Sequence, residues 1–158
     1  MTRYIGIDPG LSGAVAVING TDSLQLFDMP TMTVERNGKA KRQVSATELA
    51  EILYTMKTES CHVFVERVSA MAGQGVTSVF SFGRSFGMIE GILAALHMPV
   101  TYVAPATWVK AVHRGAGKDA SRQRAMELFP NNQADFKRVK DDGRSDAALI
   151  AYWGKYHA

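Results

Sequence analysis

The chain has 158 residues, a hydrophobic fraction of 46%, a charged fraction of 21% and a single cysteine. That length suits one domain, 1–158, with a buried core, and Cys61 alone excludes an intrachain disulfide framework or a thiol-rich metal site. No apolar run reaches the roughly 18 residues of a membrane span, and the N-terminus enters a strand pattern without the apolar stretch of a secretory signal, so an intracellular, reducing setting with no membrane partner is expected.

The first strand pattern covers residues 3–8 and the second 12–19, joined at Pro9–Gly10 as a hairpin. Residues 23–29 read as a third strand. Residues 30–44 are polar, basic and contain glycine, and read as a mobile loop. In "SATELAEILYTMKTE", Ser45 and Glu48 form a capping box ahead of apolar residues at helical spacing. "CHVFVER", residues 61–67, is β-branched and aromatic and reads as a buried strand, as does "MPVTYVA". A helix is expected over about 76–96, with shorter ones at about 105–112, 119–129 and 145–157, the last capped by Ser145. Three strands, then helices alternating with strands, give a mixed α/β layered domain.

The 76–96 helix carries an apolar seam of Val79, Phe82, Phe86, Ile89, Leu93 and Leu96. Gly83, Gly87 and Gly91 recur four apart beside it. Each glycine inside a helix costs roughly 0.5–1 kcal/mol against alanine, so another backbone is expected to pack there. Either the protein's own sheet supplies it, or part of the helix, through the aromatic seam, forms a dimer interface.

The net charge is only +3, but the cations are grouped. "RNGKAKR" holds Arg36, Lys39, Lys41 and Arg42. "KAVHRGAGKDASRQR" holds Lys110, Arg114, Lys118, Arg122 and Arg124 against Asp119. "FKRVK" adds Lys137, Arg138 and Lys140. Any one group could be a solvated face; three in a small domain lean towards nucleic acid.

Three separate segments end or begin an element with a carboxylate. Asp8 closes the first strand, where Asp-Pro-Gly could equally be turn chemistry. Glu66 follows "VFV" in a buried-looking strand, where an unpaired carboxylate is costly, and its neighbour Arg67 points to the opposite face. Asp146 lies near the start of the last helix, where an acid also favours the helix dipole. Asp142 shares its face only if that helix begins early, which Gly143 opposes. Together these acids offer hard oxygen ligands for Mg²⁺ or Mn²⁺. Two such ions ~3.5–4 Å apart activate water and stabilise the leaving oxygen of a phosphodiester.

In order, "IGIDPGLSGAVAV", "VFVERV" and "DGRSDAALIA" resemble the RuvC family of Holliday-junction resolvases, in the RNase H-like superfamily. "PATWVKAV" and "GKDASRQRAMELF" resemble it too, and "DGRSDAALIAYWG" is most similar to phage- or prophage-type members. The resemblance implies an RNase H-like fold, a mixed five-stranded sheet flanked by helices. It implies a homodimer that cuts a four-way DNA junction by Mg²⁺-dependent hydrolysis in the cytoplasm of a bacterial or phage-infected cell. It places Asp8, Glu66 and Asp146 on three metal-ligand positions. The family's fourth acid falls at Gly143 here, with Asp142 one residue before it. Lys110 and Lys118 are candidates for the family's basic residue near the site, Lys118 as a catalytic cation or a phosphate contact. Arg36, Lys39, Lys41, Arg42, Gln74, Lys110, Arg114, Lys118 and Arg122 are the expected DNA contacts. In the loop after Glu66, Met71 stands where the family often has an aromatic wedge. Trp108 could stack on a base or pack in the core.

Other readings remain open. The same acids would serve an RNase H-like nuclease acting on forks, flaps or hybrids. A non-catalytic module for branched DNA leaves the acids unexplained. An actin-like ATPase needs a second nucleotide-binding half. His62, His97, His113 and His157 lack zinc-ligand spacing.

Overall fold

A computed structural model describes all residues 1–158. In chain order the elements are β1 (Arg3–Asp8), β2 (Ala14–Ile18), β3 (Leu24–Asp28), β4 (Thr31–Arg36), β5 (Lys39–Val44), α1 (Ala46–Met56), β6 (Cys61–Glu66), α2 (Val76–Ala95), β7 (Val100–Val103), α3 (Pro105–Val112), α4 (Ala120–Leu128) and α5 (Asp142–Tyr156). Two short 3₁₀ turns, Pro130–Phe136 and Val139–Asp141, connect the last two helices. No helix is long and apolar enough to cross a membrane.

Five strands form one mixed sheet in the order β3-β2-β1-β6-β7. The first three run antiparallel as a meander; β6 and β7 join β1 in parallel. Alternation along each strand sends side chains to opposite faces. Ile5, Ile7, Val15, Val17, Val63 and Val65 point to one face, beneath Leu49 and Leu53 of α1 and Ile89 and Leu93 of α2. Ala14, Ala16, Ile18 and Phe64 point to the other, beneath α5. Full burial of each leucine, isoleucine or valine contributes about 1.5–3 kcal/mol. The mixed five-stranded sheet flanked by helices is thus as expected.

α5 lies unusually close to the sheet because its inner face is Ala147, Ala148 and Ala151 and the strand beneath offers Gly6. A Cβ on Gly6 would sit 2.2 Å from the Ala147 carbonyl oxygen, so no larger residue fits.

Three expectations are corrected. Residues 30–44 are not a loop: β4 and β5 form a separate two-stranded hairpin, with Thr31 paired to Val44 and Arg36 to Lys39. Its turn is Asn37–Gly38, both with positive φ (52° and 72°), as a two-residue Asn-Gly hairpin turn requires. Buried Val44 anchors the hairpin's base. Next, α5 starts at Asp142, not at 145, and Ser145 lies inside it, its hydroxyl donating to the Asp141 carbonyl at 3.2 Å. Gly143 belongs to the helix because α5 presses on the β1–β2 turn; a Cβ there would fall 2.1 Å from the Ser12 carbonyl oxygen. Finally, the seam of α2 from Phe86 to Leu96 faces the protein's own sheet, with Ile89 and Leu93 buried and Phe86 tilted against Tyr102 at 5.9 Å between ring centroids, while Val79 and Phe82 lie outside that core. The glycines face outwards: a Cβ at Gly83, Gly87 or Gly91 would meet no atom within 4 Å. Ser45 caps α1 as expected, accepting from the Glu48 N–H at 3.5 Å.

Candidate active site

Parallel pairing of β1 with β6 matches Ile7 to Val65. Asp8 and Glu66, one residue further on, therefore end adjacent strands at the same level and share a face. That face carries α5, whose Ala147 rests on Gly6. Asp146, the residue before it, is thereby delivered to the same sheet end. Three carboxylates separated widely in sequence are thus gathered around the end of β1 and β6, near enough for their charges to interact.

The turn after Asp8 does more than reverse the chain. The Gly10 N–H donates to Asp8 Oδ1 at 3.2 Å, which orients the carboxylate. Burial pushes the Asp8 carboxyl up, against that hydrogen bond. Burial also raises Glu66; the Trp108 indole opposes this and the charge of Asp8 adds to it. Asp146 is pushed up to about 7, first by burial, with the charges of Asp8, Glu66 and Asp142 adding and Ser121 opposing. The three acids therefore feel one another. None of them takes part in an ion pair with lysine or arginine.

Trp108, on α3, is buried, and its Nε1–H donates to Glu66 Oε2 at 2.7 Å. It is not free to stack on a base. The His113 ring meets Trp108 edge-on at 5.4 Å, and His113 Nε2 is hydrogen-bonded to the Ser121 hydroxyl at 2.9 Å. These side chains support the acids from behind. Nothing in the local sequence announces them, because the indole and its carboxylate lie 42 positions apart.

Asp142, in the first turn of α5, lies one helical turn from Asp146. Its Oδ1 accepts from Arg122 Nε at 2.8 Å. Arg122 also donates to the Lys137 carbonyl at 3.0 Å and pairs with Asp119. Only 8% of Arg122 is exposed. Its place among the expected DNA contacts is therefore corrected: the guanidinium is committed to tying α4 to the start of α5.

No protein-family model matches the chain. A 92-residue stretch, 57% of the chain, is 32% identical to the chloroplastic Holliday junction resolvase MOC1 of Chlamydomonas reinhardtii; the chain spans 10% of that protein's length. Among solved structures, the chain is similar to Thermus thermophilus RuvC in complex with a Holliday junction substrate, with a TM-score of 0.64 at 14% identity, covering 99% of this chain and 97% of that one. A second Thermus thermophilus RuvC structure superposes with a TM-score of 0.59 at 16% identity, over 96% of this chain and 94% of that one. The fold is that of RuvC.

On this RuvC fold the remaining expected contacts are dispersed. Lys110 on α3, and Arg114 and Lys118 in the segment before α4, are exposed. Lys39, Lys41 and Arg42 are exposed on the β4–β5 hairpin, and Arg36 beside them donates to Gln43 Oε1 at 3.3 Å. Arg42 reaches the Leu11 carbonyl at 3.4 Å, joining the hairpin to the turn beyond Asp8. The Gln74 side chain accepts from the Met71 N–H at 2.9 Å and closes the loop after Glu66. Met71, Val76 and Phe80 are exposed along that loop and the first turns of α2.

Proposed function

We propose that this protein is a divalent-metal-dependent, structure-selective DNA endonuclease that resolves four-way junctions by paired phosphodiester hydrolysis. The observation that supports this most is the trio Asp8, Glu66 and Asp146, brought together at one sheet end of a RuvC fold with no cation to balance it. The donor set fits a hard divalent ion: it is all oxygen, and burial with no lysine or arginine paired to it raises each carboxyl, a penalty that a bound cation would relieve. No three of these groups already converge on one ion-sized point. In this reading Asp8, Glu66 and Asp146 hold Mg²⁺, two ions per subunit, with Mn²⁺ a substitute. Bound there, such ions supply an activated water and stabilise the leaving oxygen.

The chain's own residues do the rest. The Gly10 N–H and the Trp108 indole fix two of the carboxylates, so little reorganisation accompanies catalysis. Asp142, one oxygen of which accepts from Arg122, sets the start of α5 and has its second oxygen left for the centre. Lys118 and Lys110 meet backbone phosphates. The protein acts in the cytoplasm as a homodimer, the glycine ridge of α2 being the face on which two copies meet, so that one junction is addressed by two sites.

Asp8→Asn, Glu66→Gln and Asp146→Asn are each expected to reduce junction cleavage at least 10³-fold while the variant still binds the junction. Near-normal turnover in any of them removes that residue from the centre.

A further inference from the structure

Between the β4–β5 hairpin and the first three turns of α2 runs a groove of about 380 Å³. Its lining has a consistent chemistry. The hairpin supplies Arg36, Lys41, Arg42 and Gln43; α2 supplies Ser78, Ser81 and Arg84 among others. No aspartate or glutamate lines it. None of these four cations pairs with a carboxylate elsewhere.

The register explains how the cations collect. Val34 is paired with Lys41, Arg36 with Lys39 and Met32 with Gln43, so Arg36, Lys41 and Gln43 share one face of the hairpin; Arg42, paired with Thr33 on the other face, joins the lining at the Leu11 end, where it donates to the Leu11 carbonyl. Thr77, Ser81, Arg84, Ser85 and Met88, at helical spacing, form the facing wall. Pro9 and Leu11 close one end, and both lie within three residues of Asp8. Pro9 follows Asp8 directly, so this end of the groove reaches the end of β1 at which Asp8 stands.

We infer that this groove, walled by Lys41 on the hairpin and Arg84 on α2, holds the phosphate backbone of a single DNA strand running past the carboxylate centre. Cations and hydroxyls without acids suit phosphodiesters. The volume is that of a small-ligand site, room for about one nucleotide. The half-buried ring of Phe82 on the same wall offers a base an apolar surface. The inference rests on the reading of the chain as a DNA nuclease and adds the route of the strand and a residue, Arg84, outside the charge clusters.

The test is binding without divalent ions, by fluorescence anisotropy over a range of salt. The probes are a labelled single strand of about 15 nucleotides, a blunt duplex of the same length and a four-way junction. The proteins are wild type, Arg84→Gln, Lys41→Gln/Arg84→Gln and, as a control at the far end of α1, Lys57→Gln. The double variant is expected to bind the single strand and the junction about tenfold more weakly at fixed salt. Its log–log salt slope should be less steep by about 1.4, since each lost single-strand contact removes about 0.7. Arg84→Gln should show about half that change in slope, and Lys57→Gln none. An unchanged slope for the single strand, or a loss confined to the duplex, overturns the inference. The reading of the protein as a nuclease fails separately: wild type that binds through the groove and cuts nothing in Mg²⁺ refutes the nuclease and leaves the groove. Cleavage of the junction with unaltered binding by the double variant does the reverse.

Discussion

Glu66 is held by one neutral donor, the Trp108 indole, at 2.7 Å. A hydrogen bond to a charged acceptor contributes about 1.5–3 kcal/mol, and here it fixes which way an oxygen points. Trp108→Phe keeps an aromatic ring in the core while removing the donor, together with the volume of the second ring. It is expected to lower junction cleavage roughly tenfold and raise the Mg²⁺ concentration needed for half-maximal rate, with junction affinity unchanged. An unaltered Mg²⁺ dependence would reduce Trp108 to a packing residue.

Asp146 carries a pH dependence whose sign is fixed. Its carboxyl sits at about 7 in the fold, against 3.8 for an ordinary aspartate. The folded state then holds the proton more tightly than the unfolded chain does. Metal-free stability is therefore greatest at low pH and falls as the pH rises through that interval, levelling off above it. Asp8 and Glu66 are displaced in the same direction. By calorimetry with a chelator present, the Tm of wild type should fall relative to Asp146→Asn by roughly 5 °C between about pH 5 and about pH 8. A gap that does not change with pH would contradict the burial argument.

The acids are legible as chemistry because a carboxylate at the end of an apolar strand needs a reason. Their supports are not, because Trp108, His113 and Ser121 look like ordinary helix and loop residues until the fold closes. Arg122 misleads for the opposite reason. It sits among exposed cations, and counting charge does not show that α4 turns this one inwards, although Asp119 three residues before it is a visible partner.

Among the elements, the strands of the sheet and the five helices follow from hydrophobic period, and the structure differs where glycine is weighed by propensity alone. "RNGK" has the composition of a loop, yet Asn-Gly between alternating residues is the sequence of a tight hairpin turn. Gly143 by propensity delays α5, yet the helix needs a missing side chain there to press on Ser12. In α2 the difference runs the other way. The cost of Gly83, Gly87 and Gly91 calls for a close neighbour, and within one chain nothing fills that space. The cost of three glycines is explained if a second copy's helix lies there. The protein is accordingly expected to sediment as a dimer, and Gly87→Gln to give a monomer whose own fold is about 0.5–1 kcal/mol more stable. A wild-type monomer, or a dimer indifferent to Gly87→Gln, would move the interface off this ridge.

At the scale of the molecule, two apolar cores on opposite faces of one sheet hold β1, β6 and α5 in a fixed relation. The carboxylates stand at one end of that arrangement. Arg3, which donates to the Thr55 and Met56 carbonyls at 3.1 and 3.0 Å, secures the other end. The sheet is thus a rigid mount, and in the proposed function the exposed cations of the hairpin and of the segment before α4 would serve as surfaces for DNA. Two such mounts back to back would present two centres to one branched substrate.

The most direct measurement is strand cleavage of a synthetic four-way junction in Mg²⁺, run beside forks, flaps, linear duplex and an RNA–DNA hybrid, with Glu66→Gln as the control. Paired, symmetric nicks on opposite strands of the junction are expected, faster than on any other substrate and absent in Glu66→Gln. Faster cutting of forks, flaps or hybrids, or junction binding with no cutting, would contradict the proposed function.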